Sequence, residues 1–373
     1  MTILIAPDKF KGTLTALQVC TALKDALLSI NSSLDVVELP LADGGEGTCE
    51  LLTEYCHGSF VDVEVRDPLN RKIFSRYGVS SDGKIAFVEM AKASGLQLLL
   101  QAERNPWLTS TVGTGDMIRH ALDRGVKQIM MGIGGSATND AGMGMADALG
   151  IKFFSAGGER LEGLGQNMWK VNTIDTTSVH PSLKEVNFTL FCDVNNPLFG
   201  PDGAAYVFAP QKGADPNLVR MLDDGLRSYA TCLTQKTSRD VDFPGAGAGG
   251  GLPATLKAFA SVDIRAGMEY IIDFIGLEDH VCRADIIITG EGKIDEQTMA
   301  GKVVKGVAGL AAKHNKPLIV IAGASEISEA SLRALSVHTL ITLVRDDTTT
   351  AEAMTNAQSL IGRRIRELQK LFK

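Results

Sequence analysis

Five short apolar runs, Ile3 to Ala6, Val36 to Leu39, Ile286 to Ile288, Leu318 to Ala322 and Leu340 to Val344, are followed by turn residues and then by helix-like periodicity. Strands of this kind, apolar on both faces and alternating with helices, belong to a parallel sheet covered on both sides. Amphipathic spacing predicts helices over 14–30, 46–56, 300–315, 328–335 and 351–371. All of these elements lie at the two ends of the chain. Between them the pattern changes: Phe60 to Val65 and Arg71 to Val79 alternate like antiparallel strands across the turn-prone Asp67-Pro68-Leu69-Asn70, and Ile85 to Met90 adds another. The stretch 126–150 returns to strand, glycine loop and helix, with Gln128 to Met131 as a strand that fits either sheet. The segments 187–208 and 245–251 read as irregular, site-forming loops.

This order predicts an α/β protein in which a mixed α/β domain, 61–279, is inserted into a parallel Rossmann- or flavodoxin-like domain made of 1–60 and 280–373. A length of 373 residues makes two domains the default. The 37 basic and 44 acidic residues leave a charge of −7 and form no dense basic run, which argues against nucleic acid as a partner. Cys20, Cys49, Cys56, Cys192, Cys232 and Cys282 form no CxxC pair, so reduced thiols are expected rather than a disulfide framework or a zinc site. No apolar stretch reaches membrane-spanning length and the first residues lack a signal-peptide pattern, so no membrane partner and a cytoplasmic location are expected. A homo-oligomer remains open.

Five segments carry chemistry. Asp8-Lys9-Phe10-Lys11-Gly12-Thr13 closes the first strand, where ligands of parallel sheets settle, although a capped solvated turn fits the same letters. Asp43-Gly44-Gly45-Glu46-Gly47 follows the second strand, and its acids suit a magnesium ion or a hydroxyl. Gly132-Ile133-Gly134-Gly135-Ser136-Ala137-Thr138-Asn139-Asp140 opens a helix and can present backbone N–H groups to phosphate or carboxylate. Its formal GxGxxA match lacks the ribose-binding acid of a dinucleotide site. Cys192-Asp193-Val194-Asn195 ends an apolar strand, and Gln211-Lys212-Gly213 comes after it. Glu291-Gly292-Lys293-Ile294-Asp295, within a run continuing to Gln297 and Thr298, mixes the cations and carboxylates that phosphoryl transfer requires. No Walker A motif, GxSxG elbow or paired histidine motif is present, which sets aside P-loop NTPases, serine hydrolases and zinc hydrolases. The run 245–251 fits a phosphate loop or a flexible hinge equally.

Taken in order, APDKFKGT, ADGGEGT, GIGGSATNDAGMG, CDVNNPLFG and TGEGKIDEQTMAGK resemble the bacterial glycerate kinase type I family across essentially the whole chain. The resemblance implies a two-domain α/β fold with its active site in the interdomain cleft, ATP and Mg2+, and conversion of D-glycerate to 2-phosphoglycerate. It implies catalytic roles for Asp193, Asp295 and Lys293. It places Asp8, Lys11, Asp43, Ser136, Asn139 and Asn195 at the substrate, with Asp140 in the same loop. Gly134, Gly135, Gly290 and Gly292 are expected at the nucleotide, and Glu46 and Glu291 at the metal. Lys9 departs from the small hydroxyl residue more usual in the family, so no role is implied for it. Other readings of the residues are a kinase of another small hydroxy or sugar acid and a non-catalytic metabolite sensor.

Overall fold

The computed structural model describes residues 1–296 and 303–372. Along the chain its strands are β1 (Thr2–Ile5), β2 (Asp35–Glu38), β3 (Ser59–Arg66), β4 (Lys72–Val79), β5 (Ile85–Glu89), β6 (Gln128–Gly132), β7 (Lys152–Phe154), β8 (Arg160–Leu161), β9 (Thr173–Asp175), β10 (Asn187–Phe191), β11 (Ser261–Arg265), β12 (Ile286–Ile294), β13 (Leu318–Ser325) and β14 (Thr339–Thr342). Contacts divide the chain into two units, Met1–Asp43 with Met268–Lys373, and Gly44–Gly267. The crossings therefore fall at 43 and 268 rather than near 60 and 280. Helix Thr48–Tyr55 explains the first shift, because it packs on β4 and β5 and not on the strands that precede it.

In the first unit the sheet order is β14-β13-β12-β1-β2, and every neighbour is parallel. Read in the order in which the unit's strands occur, this is the flavodoxin-like arrangement, with its switch point between β1 and β12. Ile3, Ile5, Ile288, Ile319 and Ile321 form one core with helices Ala16–Ile30 and Ala357–Glu367. Alternation turns Leu4, Ile287 and Val320 to the other face, where helices Leu277–Arg283 and Val303–Lys313 pack. Burial on both faces is why these strands read as unbroken apolar runs. Thr15 starts the first helix with a capping box completed by Gln18. The predicted helix over 351–371 is two helices, Thr350–Thr355 and Ala357–Glu367, separated at Asn356. The beginning of the predicted 300–315 helix, including Lys302, lies outside the described residues, as do Gln297 and Thr298.

The second unit holds a six-stranded sheet ordered β11-β10-β6-β5-β4-β3 and a small antiparallel sheet ordered β8-β7-β9. The β3–β4 hairpin forms as its alternation predicts. Asp67 Oδ1 accepts hydrogen bonds from Leu69 N at 2.8 Å and Arg71 N at 2.9 Å, and Asn70 takes the positive φ of 63° that closes the turn. The four strands β5, β6, β10 and β11 are parallel to one another. Residues 187–191, read both as the start of an irregular segment and as the apolar strand that Cys192 ends, are thus a central strand. Five short residues of apolar text look alike in a loop and in a buried strand until their neighbours are known.

Candidate active site

In the first unit, Asp8 lies just past β1, at the switch point. Its N–H donates to Gly290 O at 2.8 Å, which extends the pairing with β12 and presents the side chain at the carboxyl ends of the strands. Lys9 Nζ stands 3.8 Å from Asp8 and 3.6 Å from Asp43. A pocket of about 400 Å3 is lined by Asp8, Lys9, Lys11, Asp43, Glu291, Gly292 and Lys293, together with Leu343, Val344, Ala353, Met354 and Ala357. Charged and apolar groups therefore share one cavity. Burial pushes the Asp8 carboxyl up to about 7; Asp43 and Glu291 add to the rise, and Lys9 only partly opposes it. A carboxylate this costly to ionise gains from an arriving cation.

Lys293 Nζ lies 2.7 Å from Glu326 and 3.8 Å from Asp295. Asp295 is placed just beyond β12 and outside the pocket lining. Gly290, expected at the nucleotide, owes its identity to the sheet: a Cβ there would stand 2.0 Å from Ile321 O of β13. Gly292 does line the pocket, and a Cβ on it would come within 3.1 Å of Lys11 N. Lys9, which the first motif placed beside the strand end but to which the family resemblance gave no role, belongs to the cluster.

In the second unit, Glu89, Gly132, Phe191 and Arg265 stand in register across the carboxyl ends of β5, β6, β10 and β11. The next residues along each strand form the candidate site. Gly134 and Gly135 are exposed on the loop after β6, and Ser136 is nearly covered. Asp193 and Asn195 are exposed after β10, and Asp193 Oδ1 accepts from Gly267 N at 2.9 Å. A Cβ on Gly132 would meet Gly44 O at 2.8 Å, so the Gly44–Gly47 turn lies against this edge with Glu46 exposed on it. Glu46 and Glu291, expected together at a metal, belong to different units. Glu89, unassigned from the sequence, accepts from Cys49 N at 2.9 Å; burial raises it to about 6, against the attraction of Lys92. Its place at the end of an alternating strand was the available signal.

Asn139, expected at the substrate, is fully buried, and neither amide atom has a hydrogen-bond partner. Gly165 and Gly250 back onto this stretch: a Cβ on either would come within 3.2 Å of a main-chain atom of Asn139. Asp140 is also buried and accepts from Thr111 N at 2.8 Å, Thr111 Oγ1 at 2.7 Å, Gly142 N at 3.2 Å and Gly144 N at 3.1 Å. The end of the glycine run at 245–251 packs against a neighbouring loop. Gly250, at φ +70°, would drive a Cβ to 2.0 Å from Thr138 O, so it backs the Gly132–Asp140 loop.

Among the described residues, no three His, Cys, Asp or Glu side chains form a ready metal cage. Magnesium is usually held by one or two carboxylates, water and substrate phosphates, and Asp8 and Glu291 in the first-unit pocket offer two carboxylates.

The model of the glycerate kinase family matches residues 3–373. The chain belongs to this family. This family member is 39% identical to glycerate kinase of Bacillus cereus, over 100% of this chain and 98% of the relative. It is 43% identical to glycerate 2-kinase of Escherichia coli K12, over 87% and 85%. A crystal structure of a protein from Salmonella typhimurium LT2 assigned as a glycerate kinase 2 matches with a TM-score of 0.89 at 42% identity, covering 100% of this chain and 98% of that one. Family membership makes the protein a kinase, and so a transferase. Among the described residues no helix is long and apolar enough to cross a membrane.

Proposed function

We propose that the protein uses ATP and Mg2+ to phosphorylate D-glycerate, yielding 2-phosphoglycerate. The observation that carries this reading is the first-unit pocket, where Asp8, Asp43 and Glu291 meet Lys9, Lys11 and Lys293 at the switch point of a parallel sheet. Lysines offset the spread charge of a transferring phosphoryl group. Lys11, which the family resemblance put at the substrate, lines the same cavity as Lys293, and we assign both to the nucleotide phosphates. Asp8 and Glu291 would hold magnesium, whose chemistry is to neutralise phosphate charge. Leu343, Ala353, Met354 and Ala357 supply apolar surface for the purine.

The second-unit edge is assigned to the acceptor. Backbone N–H groups of Gly134 and Gly135 with the Ser136 hydroxyl suit the glycerate carboxylate. Asp193 orients the attacking hydroxyl and takes its proton, and Asp295 is the alternative acceptor. The Escherichia coli relative named glycerate 2-kinase supports the choice of hydroxyl.

Phosphorus NMR after incubation with ATP, magnesium and D-glycerate tests the reaction, with 2-phosphoglycerate as the expected product. The 3-phosphate ester would overturn the regiochemistry, and ADP release favouring another hydroxy acid would overturn the substrate. Ligand binding without ADP formation would point to a sensor instead. Asp193→Asn should lower kcat by about 10²-fold or more, with a smaller effect on KM for glycerate. Wild-type turnover in both Asp193→Asn and Asp295→Asn, in protein shown to be folded, removes the assignment of the base.

A further inference from the structure

Lys212 ends the short turn Pro210–Lys212 and is buried, with 2% of its surface exposed. Its Nζ donates to Ser136 Oγ and to Thr138 O, both at 2.7 Å. Lysine is almost never this buried unless paired with an acid, yet both of these partners are neutral. The carboxylate that acts on it electrostatically is Asp140, whose own oxygens are committed to Thr111, Gly142 and Gly144. Burial pulls the amine down to about 7, and Asp140 only partly opposes this.

The direction of the hydrogen bonds matters. Ser136 Oγ accepts from the ammonium, so its own proton is left to donate elsewhere. Gly134 and Gly135 on the same loop are exposed, and a Cβ at Gly134 would meet nothing within 4 Å. A buried cation thus stands one hydroxyl away from an open glycine turn.

We propose that Lys212 is a positioning residue that fixes Ser136 as a donor to the anionic group of the acceptor and gains a second counter-charge, beside Asp140, when that group binds. This rests on the assignment of the Gly134–Ser136 loop to the glycerate carboxylate. Lys212 does not touch the substrate. Because an anion next to the loop favours the ammonium form, binding raises the amine's affinity for a proton. Above pH 7 binding therefore takes up a proton, and affinity falls as pH rises, by up to about tenfold per pH unit. Asp140 is held inside by its four donors. Glu89 at the same sheet edge, raised to about 6, is ionised before this range.

Calorimetric titration of D-glycerate into the full-length protein between pH 6.5 and 9, in two buffers of different ionisation enthalpy, tests the proposal. Wild type should bind progressively more weakly above pH 7 and should take up a proton. Lys212→Met should bind at least about tenfold more weakly at pH 6.5 and show no such slope, with KM changed more than kcat. Lys212→Arg, charged throughout the range, should restore binding at pH 8.5. A flat affinity with no proton uptake in wild type overturns the proposal without any variant, as does a wild-type slope in Lys212→Met. Ser136→Ala separates the two levels of the argument. If it leaves glycerate binding unchanged, the loop assignment itself fails. If it weakens binding while Lys212→Met keeps the wild-type slope, only the inference about Lys212 fails.

Discussion

Asp8→Asn is expected to yield a protein that is more stable than wild type at pH 8 and nearly inactive. Asp8 is buried, and its carboxyl is raised from the usual 3.8 to about 7, first by burial and then by Asp43 and Glu291. A raised acid binds its proton more tightly in the folded state than in the unfolded one. The resulting stability is complete below pH 3.8 and is lost as pH rises through 7. A shift of this size is worth up to about 4 kcal/mol. The asparagine is neutral at every pH and keeps an oxygen for the Lys9 N–H bond of 2.7 Å. Denaturant titrations at pH 5 and pH 8 should show the variant's advantage growing with pH, while kcat falls about 10²-fold. Equal pH dependence in the two proteins would show that Asp8 is not held in this state. Normal turnover by the variant would remove it from the active site.

Asp140→Ala is expected to give the largest loss of stability in the second unit. One carboxylate, fully buried, satisfies four donors from Thr111, Gly142 and Gly144. Removing it leaves those donors buried without an acceptor, and each unsatisfied group costs about 1–3 kcal/mol. A loss of at least about 3 kcal/mol should appear as a lower denaturation midpoint. Asp140→Asn keeps one acceptor oxygen and should lose less. An alanine variant within about 0.5 kcal/mol of wild type would mean that the loop is held by other contacts.

The two variants differ in kind. On the proposed assignment Asp8 is an acid kept buried at a cost for chemistry, and its replacement relieves the fold. Asp140 stands beside residues of the candidate site in sequence, yet its hydrogen bonds are those of a brace. The glycine-serine motif contains both sorts of residue, and the letters alone do not separate them. Ser136 keeps 8% of its surface exposed and its hydroxyl accepts from Lys212, whereas Asn139, three residues on, is wholly inside.

By itself, the sequence determined the strands of the first unit, the β3–β4 hairpin, the five motif segments and the family, because each depends on letters close together or on their linear order. Apolar runs with glycine or acidic ends declare strand termini locally. Only tertiary structure decided which motifs share a unit, where the chain crosses from one unit to the other, and which side chains are buried. Those outcomes are set by neighbours remote along the chain, as where Thr289 Oγ1 donates to Ala6 O at 2.7 Å across 283 positions. Lys212 shows the same limit most clearly. Nothing in Gln211-Lys212-Gly213 distinguishes an exposed lysine from an ammonium without water, because burial and the charge state that follows from it belong to the packed environment and not to the residue.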